Sequence, residues 1–141
     1  TRVGVNIESA HAILAGLDPS DEMGFALAHK KLWTVHLNDQ NGLKFDQDKS
    51  FGSVDLRRAF NQVRILDKND YGKQGEWVGL DVKAMRTQDT PATLHLSNSL
   101  EMFKMFLELS RSLDETAVDK LVEQRDYESL DLMIMKHLLG K

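Results

Sequence analysis

Three short apolar stretches, separated by longer segments of helical periodicity, limit the fold of this chain more than any other feature. The stretches lie at residues 2–8, 32–37 and 77–83, and each predicts a strand. Because strands that alternate with helices form parallel βαβ units, we predict an α/β protein with a parallel sheet. Three parallel strands alone leave two exposed edges, which is unfavourable. We therefore expect further strands to complete the sheet, most simply those of a TIM (β/α)8 barrel.

The segments that follow these strands predict helices. Gly16 is expected to close a short helical turn, and Ser20 to cap the next helix. Either Ser53 or Asp55 is expected to cap a third, and a loop containing Pro91 precedes a long amphipathic helix with Leu100, Phe103, Phe106 and Leu107 on its apolar side. The predicted helical segments are 9–17, 18–31, 54–68 and 97–113, with two more helices in 114–141.

Composition excludes several classes of function. The chain has 141 residues, a net charge of −4 and no cysteine. The negative charge gives no reason to expect nucleic acid or an anionic membrane as a partner, and no apolar run is long enough to span a bilayer. Without cysteine, disulfides and thiolate metal sites are excluded, which suits a cytoplasmic location. The chain opens at Thr1 without Met and enters a predicted strand at once, so we interpret it as a fragment that lacks the N-terminal half of a barrel.

Polar residues able to bind a metal ion lie where the predicted strands end. In a (β/α)8 barrel the C-terminal ends of the strands carry the active site. Carboxylates combined with histidines suit Mg, Mn or Co better than a structural zinc site. The candidate ligands are Glu8 and His11 at the first strand, His36 near the end of the second, Asp46 and Asp48 in the loop 38–53, and Asp81 in the third strand, where Lys83 points to the same face.

Each candidate also has a purely structural interpretation. Asp46 and Asp48 alone fit a solvated acidic loop, and a histidine in an apolar strand, such as His36, is often a hydrogen-bonded core residue. Glu8 and His11 fit a local polar pair. Asp81 is harder to explain in this way, because a carboxylate inside a parallel strand needs a partner. The common position of these residues at one end of the strands favours a metal site.

The chain also resembles the C-terminal part of the xylose isomerase family. The resemblance is carried by "GVNIESAHAILAGL", "KFDQDKSFGSVDLRRAF", "GLDVKAMRTQD" and the closing "YESLDLMIMKHLLGK". These motifs are collinear with those of the family and span nearly the whole chain. The resemblance implies the last three β/α units of a TIM barrel at 1–113. It also implies a helical tail at 114–141 that serves as an oligomerisation arm in a homo-oligomer, a dimer or tetramer.

The resemblance further implies an activity: interconversion of a small aldose and ketose sugar by a hydride shift that two divalent metal ions assist. It assigns catalytic roles to His11, Asp48 and Lys83, with Asp48 helping a proton to move between two sugar oxygens. The family's remaining ligands belong to the N-terminal half, so the 141-residue chain is expected to be inactive alone. The expected ligands are Glu8 as the bridge between the ions, His11, Asp46 and Asp48 for the second ion, and Asp81 for the first.

One ligand position departs from the family pattern, because His36 stands where xylose isomerases carry an aspartate. Rhamnose isomerases and related sugar epimerases use a histidine at the corresponding strand, so we expect His36 to bind metal, with preference shifted toward Mn or Co. Two alternatives stay open. One is a sugar epimerase or isomerase of the same superfamily that uses one ion and acid–base proton transfer. The other is a non-catalytic assembly module, whose apolar stripe would be Met133, Ile134, Leu138 and Leu139.

Overall fold

The structure, a computed structural model, describes residues 3–84 and 92–141. The elements within these residues confirm the predicted α/β class. The predicted loop around Pro91 and the first residue of the predicted first strand, Arg2, lie outside the described residues. In chain order the elements are β1 (Val5–Glu8), α1 (Ser9–Leu14), α2 (Pro19–Ala28), β2 (Leu32–Leu37), α3 (Leu56–Lys68), β3 (Trp77–Leu80), α4 (Leu94–Ser112), α5 (Glu115–Gln124) and α6 (Tyr127–Leu138).

The three strands form one parallel sheet in the order β1–β2–β3. Glu8 lies opposite His36 in the first pair, and Leu37 lies opposite Leu80 in the second. Because the strands run the same way, their last residues gather at one edge of the sheet. This C-terminal edge is where the polar candidates were predicted to meet. Within the described part of the chain, β1 and β3 each pair on one side.

The hydrophobic core lies between one face of the sheet and the helices that cover it. Val35 and Leu37 of β2 are fully buried, in one cluster with Met23 of α2 and with Phe60 and Val63 of α3. Burying side chains of this size contributes about 1.5–3 kcal/mol each. Since neighbouring strand residues point to opposite faces, the alternate residues of β2 are directed away from this core. The polar ligand candidates of the strands are therefore free to lie on the other face.

Aspartate side chains cap the N-termini of α2 and α3. The predicted cap at Ser20 is wrong: Asp18 caps α2, and the backbone N–H of Ser20 donates to Asp18 Oδ1 at 2.8 Å. Pro19 occupies the first helical turn, where its missing N–H costs nothing, so the helix begins before Ser20. Of the two candidate caps for α3, Asp55 serves, because its side chain accepts from the backbone N–H of Arg58 at 2.9 Å.

Two predicted strands are longer than the observed ones. β1 begins at Val5 rather than residue 2, and β3 ends at Leu80 rather than residue 83. After β3 the N–H of Asp81 still donates to the carbonyl of Leu37 at 3.2 Å, but the N–H of Lys83 donates to the carbonyl of Asp48 at 2.8 Å. After Asp81 the chain therefore stops pairing with β2 and pairs instead with the loop that follows β2. Asp81 and Lys83 follow the strand instead of lying in it.

The last three helices pack on the same core. α4 begins at Leu94 rather than residue 97, and its predicted apolar side is partly wrong, because Leu100 is 45% exposed. The two predicted tail helices are confirmed as α5 and α6. In the predicted tail stripe, Ile134 is buried, and Met133 and Leu138 pack against the core. Leu139, the fourth residue of the predicted stripe, is instead 63% exposed. The other three hold the tail to its own chain. Within residues 3–84 and 92–141, no helix has the length and apolar character needed to cross a membrane.

Candidate metal centre

The first group of candidate ligands forms where β1 passes directly into α1. Glu8 is the last residue of β1, and His11 lies in the first turn of the helix that follows. His11 Nε2 therefore returns to within 3.4 Å of Glu8 Oε1. Its second neighbour is Asp46 Oδ2 at 3.2 Å, from the loop after β2. One ligand atom each from Glu8, His11 and Asp46 can lie within 4.8 Å of the others.

The second group uses the other oxygen of the same glutamate. His36 Nδ1 lies 3.8 Å from Glu8 Oε2 and 3.5 Å from Asp81 Oδ2. One ligand atom each from Glu8, His36 and Asp81 again lies within 4.8 Å of the others. Glu8 thus faces one group through Oε1 and the other through Oε2. A carboxylate in this position can bridge two cations.

The loop after β2 returns to the sheet because Asp39 closes it. Asp39 and Lys49 exchange two backbone hydrogen bonds of 2.9 Å, which join the two ends of the loop. The Asp39 carboxylate also accepts from the backbone N–H groups of Gln40 and Val54 at 2.9 and 2.8 Å. Burial raises the pKa of Asp39 although these N–H groups oppose the shift. Asp39 therefore ties the loop to the segment that begins α3.

Gln40 fixes the part of the loop that precedes Asp46. Its buried side-chain amide donates to the carbonyls of Gly42 and Phe45 at 2.9 and 3.1 Å. Its Oε1 accepts from the backbone N–H of Gln47 at 3.0 Å. These three bonds bind residues on both sides of Asp46 to one side chain. They explain why a loop without regular structure presents Asp46 at a defined position.

Asp48 lies beside these groups and pairs with Lys83. Among the described residues it belongs to neither three-residue group, and its Oδ2 forms an ion pair with Lys83 Nζ. Asp48 is 4% exposed and has a left-handed φ of 45°, which aspartate tolerates better than most residues. The hydrogen bond with Asp48 raises the pKa of Lys83, so the lysine stays charged at neutral pH. The structure thus places the third predicted ligand of the second ion against a lysine.

The donor set fits a divalent cation. Asp46 Oδ1 is buried and has no hydrogen-bond partner within the described part of the chain. Such an orphaned acceptor needs an explanation, and a cation supplies one. Carboxylate oxygens and imidazole nitrogens together suit Mn, Co or Mg. The hydrogen bond with Asp46 also raises the pKa of His11, with burial opposing the shift, as expected where carboxylates surround an imidazole.

Asn38 is a central residue of this site that the sequence pattern does not distinguish. It follows β2 directly, is buried, and contacts Glu8, Asp48 and the backbone of Asp81 through its amide nitrogen. A polar residue immediately after an apolar strand is the one signal that marks it. That signal is shared by many loop residues. Its contacts come from distant parts of the chain and are visible only in the folded structure.

Together these observations define an α/β chain whose parallel strands gather carboxylates and histidines at their C-terminal ends. In sequence the chain is similar to the xylose isomerase of Thermus thermophilus, with 40% identity over 88 residues. That match covers 62% of this chain and 22% of the relative, so the chain spans well under two thirds of that protein. No family model matches the chain. The similarity supports a xylose isomerase-like relationship, and with it an isomerase-type enzyme family, for the matched part.

Proposed function

We propose that this chain supplies the C-terminal part of the active site of a metal-dependent aldose–ketose sugar isomerase. The observation that supports this most directly is the shared position of Glu8. Its two oxygens face two groups, each completed by one histidine and one further carboxylate. Paired cations bridged by a carboxylate can hold two oxygens of one substrate, as an aldose–ketose conversion at neighbouring carbons requires. The proposed ligands are Glu8, His11, His36, Asp46, Asp48 and Asp81.

The proposal places the three strands in a (β/α)8 barrel, with its last three β/α units at 1–113. The parallel order of the sheet supports this placement, as do its outer strands, which pair on one side only among the described residues. Trp77 on β3 is 77% exposed, and Phe25 on α2 is 68% exposed. Neighbouring barrel units would cover such side chains. The greater length of the xylose isomerase relative is consistent with further units. We also propose a cytoplasmic location, which the lack of cysteine suits.

Within the proposed site, Asp48 is both a proposed ligand and, with Lys83, one of the residues expected to handle protons. Bound divalent ions would polarise sugar oxygens as Lewis acids. Lys83 is held protonated by Asp48, so it serves as a hydrogen-bond donor and not as a base. Asp48 is buried and paired with Lys83, and we assign it the role of helping a proton to move between two sugar oxygens. His11 must be unprotonated to bind a cation, so cation binding releases its proton.

His36 bears on the choice of metal and leaves the sugar open. Its nitrogen stands in a group that otherwise contains carboxylate oxygens. A nitrogen donor favours Mn or Co over Mg, which prefers oxygen ligands and water. A histidine here also keeps the alternative of a one-ion epimerase that works by acid–base proton transfer. The number of ions per site separates the two hypotheses.

The first experiment counts ions. Equilibrium dialysis of the chain against Mn, Co and Mg, followed by metal analysis, is expected to give two ions per chain. A single ion at saturation would favour the epimerase. The matched control is Asp70→Asn, which removes an exposed carboxylate that pairs with Lys73, far from the site in the turn after α3.

The second experiment follows the chemistry. An aldose is incubated in heavy water with the longer protein that includes this chain, and the sugar is examined by proton NMR. A hydride shift leaves the transferred hydrogen undiluted, whereas proton transfer through a base introduces deuterium. The 141-residue chain alone is expected to be inactive because it holds only part of the ligand set. Turnover by the chain alone would contradict this part of the proposal.

An assembly role for the tail at 114–141 is the second candidate. Leu132 and Met135 of α6 and Leu139 at its C-cap are exposed at spacings of three and four residues, which places them on one face. This outward face shares only Leu139 with the predicted stripe and is free to contact a second copy of the chain. If it does, Leu132→Glu with Met135→Glu should lower the mass measured by light scattering. Leu100→Glu, an exposed leucine on α4, serves as the control.

A further inference from the structure

Asn38 lies between the candidate ligands without being one of them. It is 1% exposed and follows the last residue of β2. Its side chain reaches every element that ends at this edge of the sheet. The Oδ1 atom accepts from the backbone N–H of Ala10 at 2.7 Å. The two N–H groups of Nδ2 are shared among three acceptors, Glu8 Oε1 at 3.2 Å, Asp48 Oδ1 at 3.0 Å and the carbonyl of Asp81 at 3.0 Å.

The orientation of this amide follows from its partners. The backbone N–H of Ala10 can only donate, so the amide oxygen must face it. On the other side lie two carboxylates and a backbone carbonyl, which accept, so the amide nitrogen must face them. An aspartate at this position would keep the hydrogen bond from Ala10. Its other carboxylate oxygen would replace the amide nitrogen and face the carboxylates of Glu8 and Asp48, which it could not donate to. The site therefore requires an amide here.

We infer that Asn38 is a positioning residue of the metal centre, an inference that rests on the proposed function. Its amide holds the Glu8 carboxylate, which is shared by both ligand groups, and the Asp48 carboxylate beside them. It does so as a neutral donor, so it orders the two acids without competing with a cation for their charge. Because Glu8 belongs to both groups, loss of this amide should weaken the binding of both ions together.

Two substitutions distinguish the loss of the N–H donors from the addition of a negative charge. Asn38→Asp keeps the shape and the acceptor for Ala10 but removes both N–H donors. Asn38→Ala removes the side chain and adds no charge. The matched control is Gln62→Glu, an amide-to-acid change at another buried residue, whose hydrogen bonds go to Ser9 and Arg58 and not to a candidate ligand.

Mn²⁺ binding is measured by calorimetry for each protein, below the melting temperature that circular dichroism gives for that protein. Both Asn38 variants are expected to bind both ions roughly 10- to 100-fold more weakly than the wild type, the usual effect of losing a residue that orients ligands. Gln62→Glu is expected to lower the melting temperature and to retain wild-type Mn²⁺ affinity. A purely structural role for Asn38 would change the melting temperature without changing the affinity.

Several results would overturn the inference. Wild-type affinity in both Asn38 variants would do so, as would weakening of one ion alone or equal weakening in Gln62→Glu. Weakening in Asn38→Asp but not in Asn38→Ala would show that added charge is responsible, and this too would overturn it. If Asn38→Asp does not fold, Asn38→Ala and Asn38→Ser decide the matter. No saturable binding by the wild type would overturn the proposed function together with the inference, whereas wild-type binding with unaffected variants would overturn the inference alone.

Discussion

His11 and Asp46 meet at the C-terminal edge of the sheet, where His11 Nε2 lies 3.2 Å from Asp46 Oδ2 although 35 residues separate them in the chain. The other oxygen, Asp46 Oδ1, is buried without a partner in the described part of the structure. The hydrogen bond with Asp46 is the main cause of the raised pKa of His11. A carboxylate with one oxygen on a histidine and the other unpaired is a candidate cation ligand, and the ligand atoms of Glu8, His11 and Asp46 lie within 4.8 Å of one another.

Asp46→Asn should abolish binding of the second ion and lower the pKa of His11 toward 6.5, its ordinary value. Because the folded-state pKa of His11 is raised, the pair stabilises the metal-free protein below that ordinary value. This stabilisation is lost as the pH rises through the folded-state pKa. The substitution should therefore destabilise the metal-free protein in mild acid and have little effect in mild alkali. Proton NMR titration of His11 and urea unfolding at both pH values measure this.

The control for this substitution is Asp70→Asn, which also removes a carboxylate but lies in the turn after α3. It should leave the His11 titration and the ion count unchanged.

The double variant Asp46→Asn with Asp48→Asn should lose the second ion and keep the fold, because asparagine accepts the left-handed φ of residue 48. An unchanged His11 titration in Asp46→Asn would contradict the assigned cause of the raised pKa.

Gly79→Ala should weaken binding of the first ion selectively. A Cβ atom at residue 79 would lie 3.2 Å from His36 Cδ2, so the imidazole would have to move by a few tenths of an ångström. His36 faces Glu8 and Asp81, whereas the second ion depends on His11 and Asp46. Calorimetry with Mn²⁺ should show one weakened and one unchanged binding step.

A matched glycine provides the control for that measurement. A Cβ atom at Gly24, inside α2, meets its nearest atoms at 3.9 Å, in ordinary contact with Ile65. Gly24→Ala should therefore raise stability by about 0.5–1 kcal/mol, because alanine favours the helix, and leave both binding steps unchanged. Equal weakening of both steps in Gly79→Ala would show that the His36 ring does not act on one ion alone.

The fold was largely predictable because its signals are local. The apolar stretch 32–37 matches β2, and the alternation of strands with helices predicts the parallel order. The end of β3 was not predictable, because it depends on competition: the N–H of Lys83 has the carbonyl of Asp48 as an alternative to the ladder with β2. The start of α2 was predictable from Pro19, because proline favours the first turn of a helix. This signal places the cap at Asp18 and not at Ser20.

The candidate site was predictable in its charged residues and not in its neutral ones. Glu8, His11 and Asp46 were selected because carboxylates and imidazoles bind metals, and the structure brings them together. Asn38 was not selected, because an amide carries no such signal. Its importance comes from contacts with residues 30, 10 and 43 positions away, which no local pattern encodes. Whether these residues bind ions stays a prediction that metal-binding measurements test.

His36→Asp should shift the preference of the first ion from Mn toward Mg. The substitution removes the nitrogen donor and leaves a group made only of carboxylate oxygens. Competition between Mg and Mn, followed by the electron paramagnetic resonance signal of free Mn, gives the ratio of affinities in both proteins. The control is His29→Asp, which changes a histidine that contacts Phe25, with the two rings tilted by 56°, at the far end of α2. An unchanged ratio in His36→Asp would mean that His36 is not a ligand.

Glu115→Gln should loosen the tail from α3 at neutral pH. Glu115 accepts from Arg64 at 2.8 Å and from Lys68 at 2.6 Å. Burial pushes the pKa of Glu115 upward, but these cations outweigh it and hold the pKa below 4.5. The contribution, about 0.5–1 kcal/mol for a partly exposed pair, is therefore present above that value and lost as the pH falls through the lowered pKa. Hydrogen exchange in α5 should accelerate in Glu115→Gln at neutral pH and match the wild type in acid. Glu101→Gln, which breaks an exposed pair with Lys104 inside α4, should not alter α5 at either pH.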